Sequence, residues 1–419
     1  MKLICLAIIL WKRKVEGNKV TKFRILILLL SILCLFDSSL SFDWKYDQGY
    51  QDERLYLHVA TNYTFDQDWC RDWQKNYLRA SGLRMNYGSV TTSELLSDFQ
   101  ILINEKIANG WKFHSHFIKY DSRHRNDIIE SNFMGLEKSI FSNFSLFALF
   151  NPYFDKEKID SKVGLIVTNS NQKKYLRLSY VFEDFVYDQK NSVSGYTIQN
   201  PRRLDWKIRT GGKNWILYSD GQYSRPFKRK FQDRERSPEI NWHSRAIDDI
   251  ITKLYLRPDK NIFIEYRNWF YHFYEAKNFW NPVYNFSYNN NIYQNSLYAT
   301  FKINKKIDLR YEFHHIYQNS KADGYQNYDY QRGEIFFPDV FVDYTTGRDI
   351  LTFGYFGTSF KWDKTGKQID EIDQKGYEDK LIFGWQHIFS SKTKLKLSIS
   401  HSTTYHGFGG GNIQYMMFF

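Results

Sequence analysis

The sequence is poor in cysteine and lacks any long apolar run beyond its N-terminal region. Its 419 residues include three cysteines, Cys5, Cys34 and Cys70, and the first two lie in a targeting segment. The exported chain therefore keeps Cys70 alone, which excludes an internal disulfide framework, and the missing Cys-x-x-Cys spacing removes the commonest zinc and redox sites. After residue 36 no stretch approaches the ~20 consecutive apolar residues of a membrane-spanning helix, which excludes a helical membrane protein.

Aromatic residues, in contrast, are unusually frequent. Tyr, Phe and Trp together make up 19% of the chain, yet the mean hydropathy is negative at -0.58. The strands of a transmembrane barrel bring only every second residue to lipid, and aromatic belts lie at both membrane interfaces. The composition is therefore typical of such a barrel. An aromatic-rich soluble sandwich or propeller is the alternative, and the two ends of the chain favour the barrel.

The N-terminus has the features of a secretory signal peptide. Lys22 and Arg24 precede an apolar stretch over 25–36, and small residues follow at Ser39 and Ser41. This order predicts cleavage after Ser41. The apolar stretch is too short to remain as a membrane anchor.

A second short apolar run over 3–11 precedes this segment. Because two signal-like segments in tandem are unusual, we expect translation to start near Val20. The predicted organisation is a signal region over 1–41, an N-terminal periplasmic arm or plug over 42–79, and a barrel over 80–419.

The last nine residues, 411–419, have the pattern of a lipid-facing strand. Side chains alternate between the two faces of a strand, so one face collects apolar residues: Ile413, Tyr415, Met417 and Phe419. This ending resembles the C-terminal strand of Gram-negative outer-membrane β-barrel proteins, in which a terminal Phe is usual, although Gln414 stands where that ending usually has a glycine. The resemblance implies the bacterial outer membrane, contact with its lipid bilayer and lipopolysaccharide, and recognition of this strand by the outer-membrane barrel assembly machinery.

From about residue 80 onward, apolar and polar residues alternate in segments that are separated by turn residues. Leu309, Tyr311 and Phe313, for example, alternate with Arg310 and Glu312. Such segments predict a chain of hairpins, and counting them gives about eighteen strands, to within about two. The predicted fold class is all-β, a single transmembrane antiparallel β-barrel of about 16–18 strands. Its last strand is expected to pair with a first strand near Tyr56 or near Leu83.

Two kinds of connection alternate along the predicted barrel. Short turns are predicted at 108–110, 211–213, 258–261, 304–306, 345–349 and 390–393. Longer polar stretches are predicted as loops, among them 277–291, 319–332 and 363–376. This alternation is that of short periplasmic turns and long extracellular loops.

Charged side chains on the predicted strands are expected to line the lumen. The basic candidates are Arg177, Lys207, Arg209, Lys253, Arg257, Arg267, Lys302, Arg310, Lys394 and Lys396. Acidic residues on the same faces are fewer, and a basic excess raises the local concentration of anions. One interpretation is a pore that prefers anionic or neutral polar solutes. The other is that these charges merely avoid lipid, where Lys or Arg costs ~2–4 kcal/mol at the midplane.

The predicted function is a porin-like channel for passive or facilitated diffusion of small hydrophilic solutes, with anionic ones as the interpretation of the basic lumen. In architecture alone the chain is similar to alginate-export proteins and sugar porins, and no site residue follows from that likeness. The alternatives are an export channel for an anionic polysaccharide and a non-conducting barrel that serves as a surface adhesin or anchor. No basic run with interleaved aromatics accompanies the net charge of +12, so no nucleic-acid partner is expected.

An outer-membrane enzyme is the alternative from another class. Residues 223–228 resemble the Ser-x-Pro-Phe-Arg stretch of outer-membrane phospholipase A, but the His-x-Ser-Asn-Gly motif of that family is absent. The pair His114 and His116 could share one face of a strand, but it lacks a third metal ligand. We therefore expect no catalytic residues, no cofactor and no metal site.

Overall fold

The computed structural model describes residues 67–89, 96–122, 127–151, 160–182, 196–199, 202–231, 240–324, 327–366, 372–404 and 406–419. The predicted signal region, the start near Val20, the candidate strand near Tyr56 and most of the predicted arm lie outside these residues. Among the described residues, no helix is long and apolar enough to cross a membrane.

One α-helix, α1 (Gln67–Asn76), precedes the strands. The strands are β1 (Gly82–Ser89), β2 (Leu96–Ala108), β3 (Trp111–Ser122), β4 (Asp127–Phe141), β5 (Phe144–Phe150), β6 (Ser161–Thr168), β7 (Tyr175–Phe182), β8 (Tyr196–Gln199), β9 (Arg202–Gly211), β10 (Trp215–Ser224), β11 (Phe227–Phe231), β12 (Ile240–Asp259), β13 (Ile262–Phe279), β14 (Phe286–Lys302), β15 (Ile307–Gly324), β16 (Tyr328–Thr346), β17 (Asp349–Gly366), β18 (Ile372–Ser390), β19 (Thr393–Ser402) and β20 (Gly407–Phe418). A short 3₁₀ helix (Pro282–Tyr284) joins β13 to β14.

The strands form one closed antiparallel sheet. Most strands pair with their neighbours in the chain, whereas β7 pairs with β9, β8 with β11 and β10 with β12. The sheet closes where β1 pairs with β20, with Leu83 opposite Met417. The closing partner is thus the strand near Leu83, one of the two that the sequence left open. Two barrel strands are each made of two segments: β8 and β9 occupy one strand position, and β10 and β11 occupy the next. The twenty segments therefore form a barrel of eighteen strands. This confirms the predicted fold class.

A proline explains why one predicted strand is divided. The sequence predicts a single strand from Trp215 to about Phe231, whereas β10 ends at Ser224 and β11 begins at Phe227. Pro226 lies between them. Proline has no backbone N–H to donate to the sheet, so the hydrogen-bond ladder is interrupted there and resumes with β11 against β12.

Burial along the strands is inverted relative to a soluble protein. On β15 the side chains of Glu312, His314 and Gln318 are buried, whereas those of Tyr311 and Phe313 are exposed. A soluble protein exposes its charges and buries its aromatic residues. Polar groups inside and apolar groups outside are the arrangement of an outer-membrane β-barrel, whose outer surface lies in the bilayer. The predicted outer-membrane location agrees with this arrangement.

The short turns lie together at one end of the barrel, which is the periplasmic end of the predicted arrangement. All six of the predicted short turns connect neighbouring strands there. Three of them contain a glycine with positive φ, Gly110 at 73°, Gly211 at 156° and Gly347 at 61°, and positive φ favours glycine in tight hairpins. The chain also ends there, where the backbone N–H of Phe419 donates to the carbonyl oxygen of Ser81 at 3.0 Å.

Three predicted loops continue as paired strands, which corrects their predicted bounds. Within 277–291 the structure has the end of β13 and the start of β14; within 319–332, the end of β15 and the start of β16; and within 363–376, the end of β17 and the start of β18. Phe286 pairs with Gly324, for example. Backbone pairing depends on the neighbouring strand and not on side-chain polarity, so hairpins can extend beyond the apolar part of the barrel.

Candidate functional site

Helix α1 lies inside the barrel at the periplasmic end. The ring of Trp73 lies 5.7 Å from that of Phe418 on β20, and the guanidinium carbon of Arg71 lies 3.7 Å from the ring centroid of Phe263 on β13. The hydroxyl of Tyr175 on β7 donates to the carbonyl oxygen of Gln74 at 2.9 Å. These three strands lie on different sides of the closed sheet, so α1 crosses the lumen.

An aromatic stripe packs α1 into the barrel. Trp69 and Trp73 lie four residues apart and Tyr77 follows after four more, which places all three on one side of a helix. All three side chains are buried. The sequence pattern does not predict this helix, because charged residues between the tryptophans obscure the period. The spacing of four residues is the signal that identifies it. The predicted plug role of 42–79 stays a prediction.

Polar contacts connect α1 to two further strands. The carboxylate of Asp72 lies 2.8 Å from the Lys394 ammonium on β19. The side-chain carbonyl oxygen of Gln74 accepts a hydrogen bond of 3.1 Å from the hydroxyl of Tyr255 on β12. Lys394, one of the predicted lumen residues, therefore binds the helix.

One side of the lumen carries charges that are neutralised within single strands; we call it the paired wall. Each of three strands, β13, β15 and β18, places an acidic and a basic side chain two residues apart on its inner face. The pairs are Glu265–Arg267 at 3.1 Å, Arg310–Glu312 at 3.2 Å and Glu378–Lys380 at 3.3 Å. Arg310 also contacts Asp343 on β16 at 2.6 Å. Each basic side chain of this wall therefore has an acidic partner.

A small cavity borders the paired wall. Its volume is ≈ 80 Å³, and its lining includes Arg310, Lys380, Lys396 and Gln414. The side chains of Lys396 on β19 and Gln414 on β20 share the same inner face, because the two residues are opposite one another in the sheet. The cavity is thus a small space on the inner side of β15 to β20, lined by apolar as well as charged side chains.

On β7, β9 and β12 the charges are arranged differently. Arg177 lies opposite Lys207, and Arg209 lies opposite Tyr175 on one side and Tyr218 on the other. Lys207 is neutralised by Asp220. Tyr218 in turn lies opposite Lys253. Basic side chains therefore alternate with tyrosines around this part of the lumen.

Three of these cations form no ion pair with an acidic side chain among the described residues, although the Glu265 carboxylate lies near enough to attract Lys253; we call Arg177, Arg209 and Lys253 the cationic cluster. Their side chains are buried, with exposed fractions of 7%, 8% and 6%. Arg177 donates to the hydroxyl of Tyr77, and Arg209 donates to the carbonyl oxygen of Lys173. The Nε atoms of both arginines have no hydrogen-bond partner in the described part of the chain. The cluster is thus a buried excess of positive charge.

The ten predicted lumen residues fall into two groups in the structure. Two are exposed near the short turns: Arg257, which donates to the Lys260 carbonyl oxygen at 3.2 Å, and Lys302 at the end of β14. The other eight lie on the inner face of their strands: Arg177, Lys207, Arg209, Lys253, Arg267, Arg310, Lys394 and Lys396. Their part in solute passage stays a prediction.

The closing strand alternates as the sequence suggested. Gln414, Met416 and Phe418 are buried, and the four predicted membrane-facing residues lie on the opposite face: Ile413, Tyr415, Met417 and Phe419. Contact of this face with lipid and its use in assembly stay predictions.

The segment that resembles a phospholipase motif has a structural role here. The Ser224 hydroxyl donates to the carbonyl oxygen of Ile247 at 2.8 Å, and the Ser224 backbone N–H donates to the Asp248 carboxylate at 2.8 Å.

The imidazole of His114 lies 2.6 Å from the side-chain carbonyl oxygen of Asn104. In the described ranges no group of three His, Cys, Asp or Glu side chains could hold a metal ion.

No family model and no curated protein matches the sequence. Among solved structures, the chain is similar to OmpT, an outer membrane protein of Vibrio cholerae, in a loop L8 deletion mutant, with 11% identity over 81% of this chain and 97% of that chain and a TM-score of 0.35. A bacterial polysaccharide outer membrane secretin has 9% identity over 82% of this chain and 99% of that chain, with a TM-score of 0.37. OccK10 (OpdN) of Pseudomonas aeruginosa has 8% identity over 80% and 97%, with a TM-score of 0.34.

Proposed function

We propose that this barrel is a porin-like channel for passive or facilitated diffusion of small hydrophilic solutes, with a preference for anionic ones. The observation that supports the preference is the cationic cluster, whose three side chains face the lumen without acidic partners among the described residues. Fixed positive charges in a confined aqueous space attract anions and repel cations. The paired wall adds polar groups without adding net positive charge, so anion selectivity is expected to come from the cationic cluster.

Helix α1 favours a second candidate, a barrel that does not conduct and serves as a surface adhesin or anchor. The helix crosses the lumen and has contacts with β7, β13, β19 and β20. In that case the paired hairpins at the far end of the barrel, such as β13 with β14, are the working surface. The two candidates differ in one measurable property, ion conductance.

Planar-bilayer recording of the purified, folded protein separates these candidates. A channel gives steady ohmic steps, and in a KCl gradient its reversal potential has the sign of anion selectivity. The variant Arg177→Gln/Arg209→Gln should shift the reversal potential towards zero, because two lumen cations are removed. Arg257→Gln, which changes an exposed arginine at a turn, is the matched control and should leave the potential unchanged.

Absence of conductance in a protein that is demonstrably folded refutes the channel and supports the anchor. Cation selectivity refutes the anionic preference alone. Hydrolysis of phospholipid by the same preparation would show that the barrel is an enzyme.

A further inference from the structure

We infer that the lumen contains a binding site for a small dicarboxylate, formed by the cationic cluster (Arg177, Arg209 and Lys253) and covered by the end of α1. This inference deepens the proposed function, because it names the class of anion and the place where it binds. It rests on that function only in requiring that solutes reach the lumen from solution.

None of the three cations of the cluster forms an ion pair with an acidic side chain among the described residues. A buried cation without a partner is costly, since its desolvation is not repaid. On the paired wall the chain supplies an acid two residues from each base, as in Glu265–Arg267. At the equivalent positions beside Arg177 stand Tyr175 and Ser179, and beside Lys253 stand Ile251 and Tyr255. The chain departs from its own arrangement here, so a ligand is expected to supply the negative charge.

The three cations lie on three different strands, and the register of those strands gives their spacing. Arg177 lies opposite Lys207 and Arg209 lies opposite Tyr175, so the two arginines are diagonal neighbours, about 7–8 Å apart at their backbones. Arg209 and Lys253 flank Tyr218 from its two sides and are separated by two strand spacings, about 10 Å. Cations spread over three strand positions favour two carboxylates on a short carbon chain over a single carboxylate.

The two arginines of the cluster keep N–H donors that no described residue accepts. The Nε atoms of Arg177 and Arg209 have no partner among the described residues, although each guanidinium has one other N–H engaged, with Tyr77 and with the Lys173 carbonyl oxygen. A guanidinium presents its donors as a planar fork that matches a carboxylate. Each arginine therefore retains N–H groups for one end of the ligand.

The cover over this site comes from α1 and the residue that follows it. The Arg177 guanidinium carbon lies 5.7 Å from the ring centroid of Tyr77 and 4.5 Å from that of Phe147. The Tyr175 hydroxyl is bonded to the backbone of Gln74. Arg177 is thus placed between the Tyr77 ring and the barrel wall, where low exposure to water strengthens its attraction for an anion.

Isothermal titration of the detergent-solubilised, folded protein with succinate tests the site without any need for conductance. Acetate and inorganic phosphate at equal ionic strength are the comparators. Succinate should bind at least about tenfold more tightly than acetate, because its second carboxylate adds a second charged contact with the cluster. Arg177→Gln and Arg209→Gln should each weaken succinate binding by about tenfold or more, the usual effect of losing a hydrogen bond to a charged group. Arg257→Gln should have no effect.

If the Gln variants fail to fold, Arg177→Lys and Arg209→Lys are the alternative variants. They keep the positive charge but lose the planar set of guanidinium donors, so a partial loss of affinity for succinate is expected. No succinate binding by the folded wild-type protein overturns the site, whatever its conductance. Phosphate binding tighter than succinate overturns the assigned ligand class. Succinate binding by a barrel that does not conduct supports the site and refutes the proposed channel, so the two failures are distinguishable.

Discussion

Glu265 and Arg267 occupy neighbouring inward positions on one strand, and both side chains are fully buried. Inward positions along a strand lie two residues apart, so an acid and a base at this spacing point into the same space and neutralise each other. Their ion pair is 3.1 Å long. Neither charge could stay buried alone without a large desolvation cost. The pair is therefore a structural unit, in contrast to the cationic cluster.

Removing one member of this pair should destabilise the barrel strongly. Glu265→Gln removes the carboxylate that pairs with the buried Arg267 guanidinium, and a loss of ~3–5 kcal/mol in unfolding free energy is expected. Replacement of both residues by Gln should recover most of that loss. Urea unfolding followed by tryptophan fluorescence measures both variants.

The exposed pair Lys321–Asp323, which has a similar length of 3.3 Å, is the control. Asp323→Asn should cost at most ~1 kcal/mol, because exposed ion pairs contribute little. Equal losses for Glu265→Gln and Asp323→Asn would contradict the assignment of a buried structural pair.

Helix α1 and the strands differ in how far the sequence predicted them. Strand faces were predictable because the alternation of side chains is local, as Tyr311 and Glu312 show. The helix was missed because its stripe of Trp69, Trp73 and Tyr77 is interrupted by charged residues. Each residue of the cationic cluster was predicted to face the lumen. Whether it has an acidic partner depends on which strands pair with one another, and strand pairing is a property of the whole fold that no single segment of sequence contains.

We expect α1 to restrict the lumen, and weakening its polar contacts should increase conductance. Asp72→Ala/Gln74→Ala removes the ion pair with Lys394 and the hydrogen bond with Tyr255. Together these contribute ~2 kcal/mol at most, which would raise the population with an undocked helix by roughly 30-fold. Single-channel recording should show more frequent or larger openings.

Lys75→Ala, on the same helix, is the matched control for this variant. Unchanged conductance in Asp72→Ala/Gln74→Ala, with the barrel still folded, would show that α1 does not limit passage. A similar increase in Lys75→Ala would show that the effect is not specific to the two contacts.

The whole barrel depends on one seam, where β1 meets β20. Gly88 lies opposite Asn412, and a Cβ atom at Gly88 would lie 2.3 Å from the Gly411 carbonyl oxygen. Such a distance is far below van der Waals contact, and the neighbouring backbone cannot yield without separating the two strands. The seam thus tolerates no side chain at this position.

Gly88→Val should therefore prevent closure of the barrel. The measurement is the change of gel mobility on heating, which a closed barrel shows and an open sheet does not. Gly333→Val is the control, because no atom lies within 4 Å of a Cβ at Gly333. Normal heat-modifiable migration of Gly88→Val would refute the close approach at the seam.

The ion pairs of β13, β15 and β18 have a consequence for the order in which the barrel is built. Because each acid and its base belong to one strand, that strand can join a growing sheet already neutral on its inner face, without waiting for a charge from a later strand. The strands β7, β9 and β12 bring Arg177, Arg209 and Lys253 without such partners. These are the strands whose addition should be slowest, and an anion present during assembly should accelerate it.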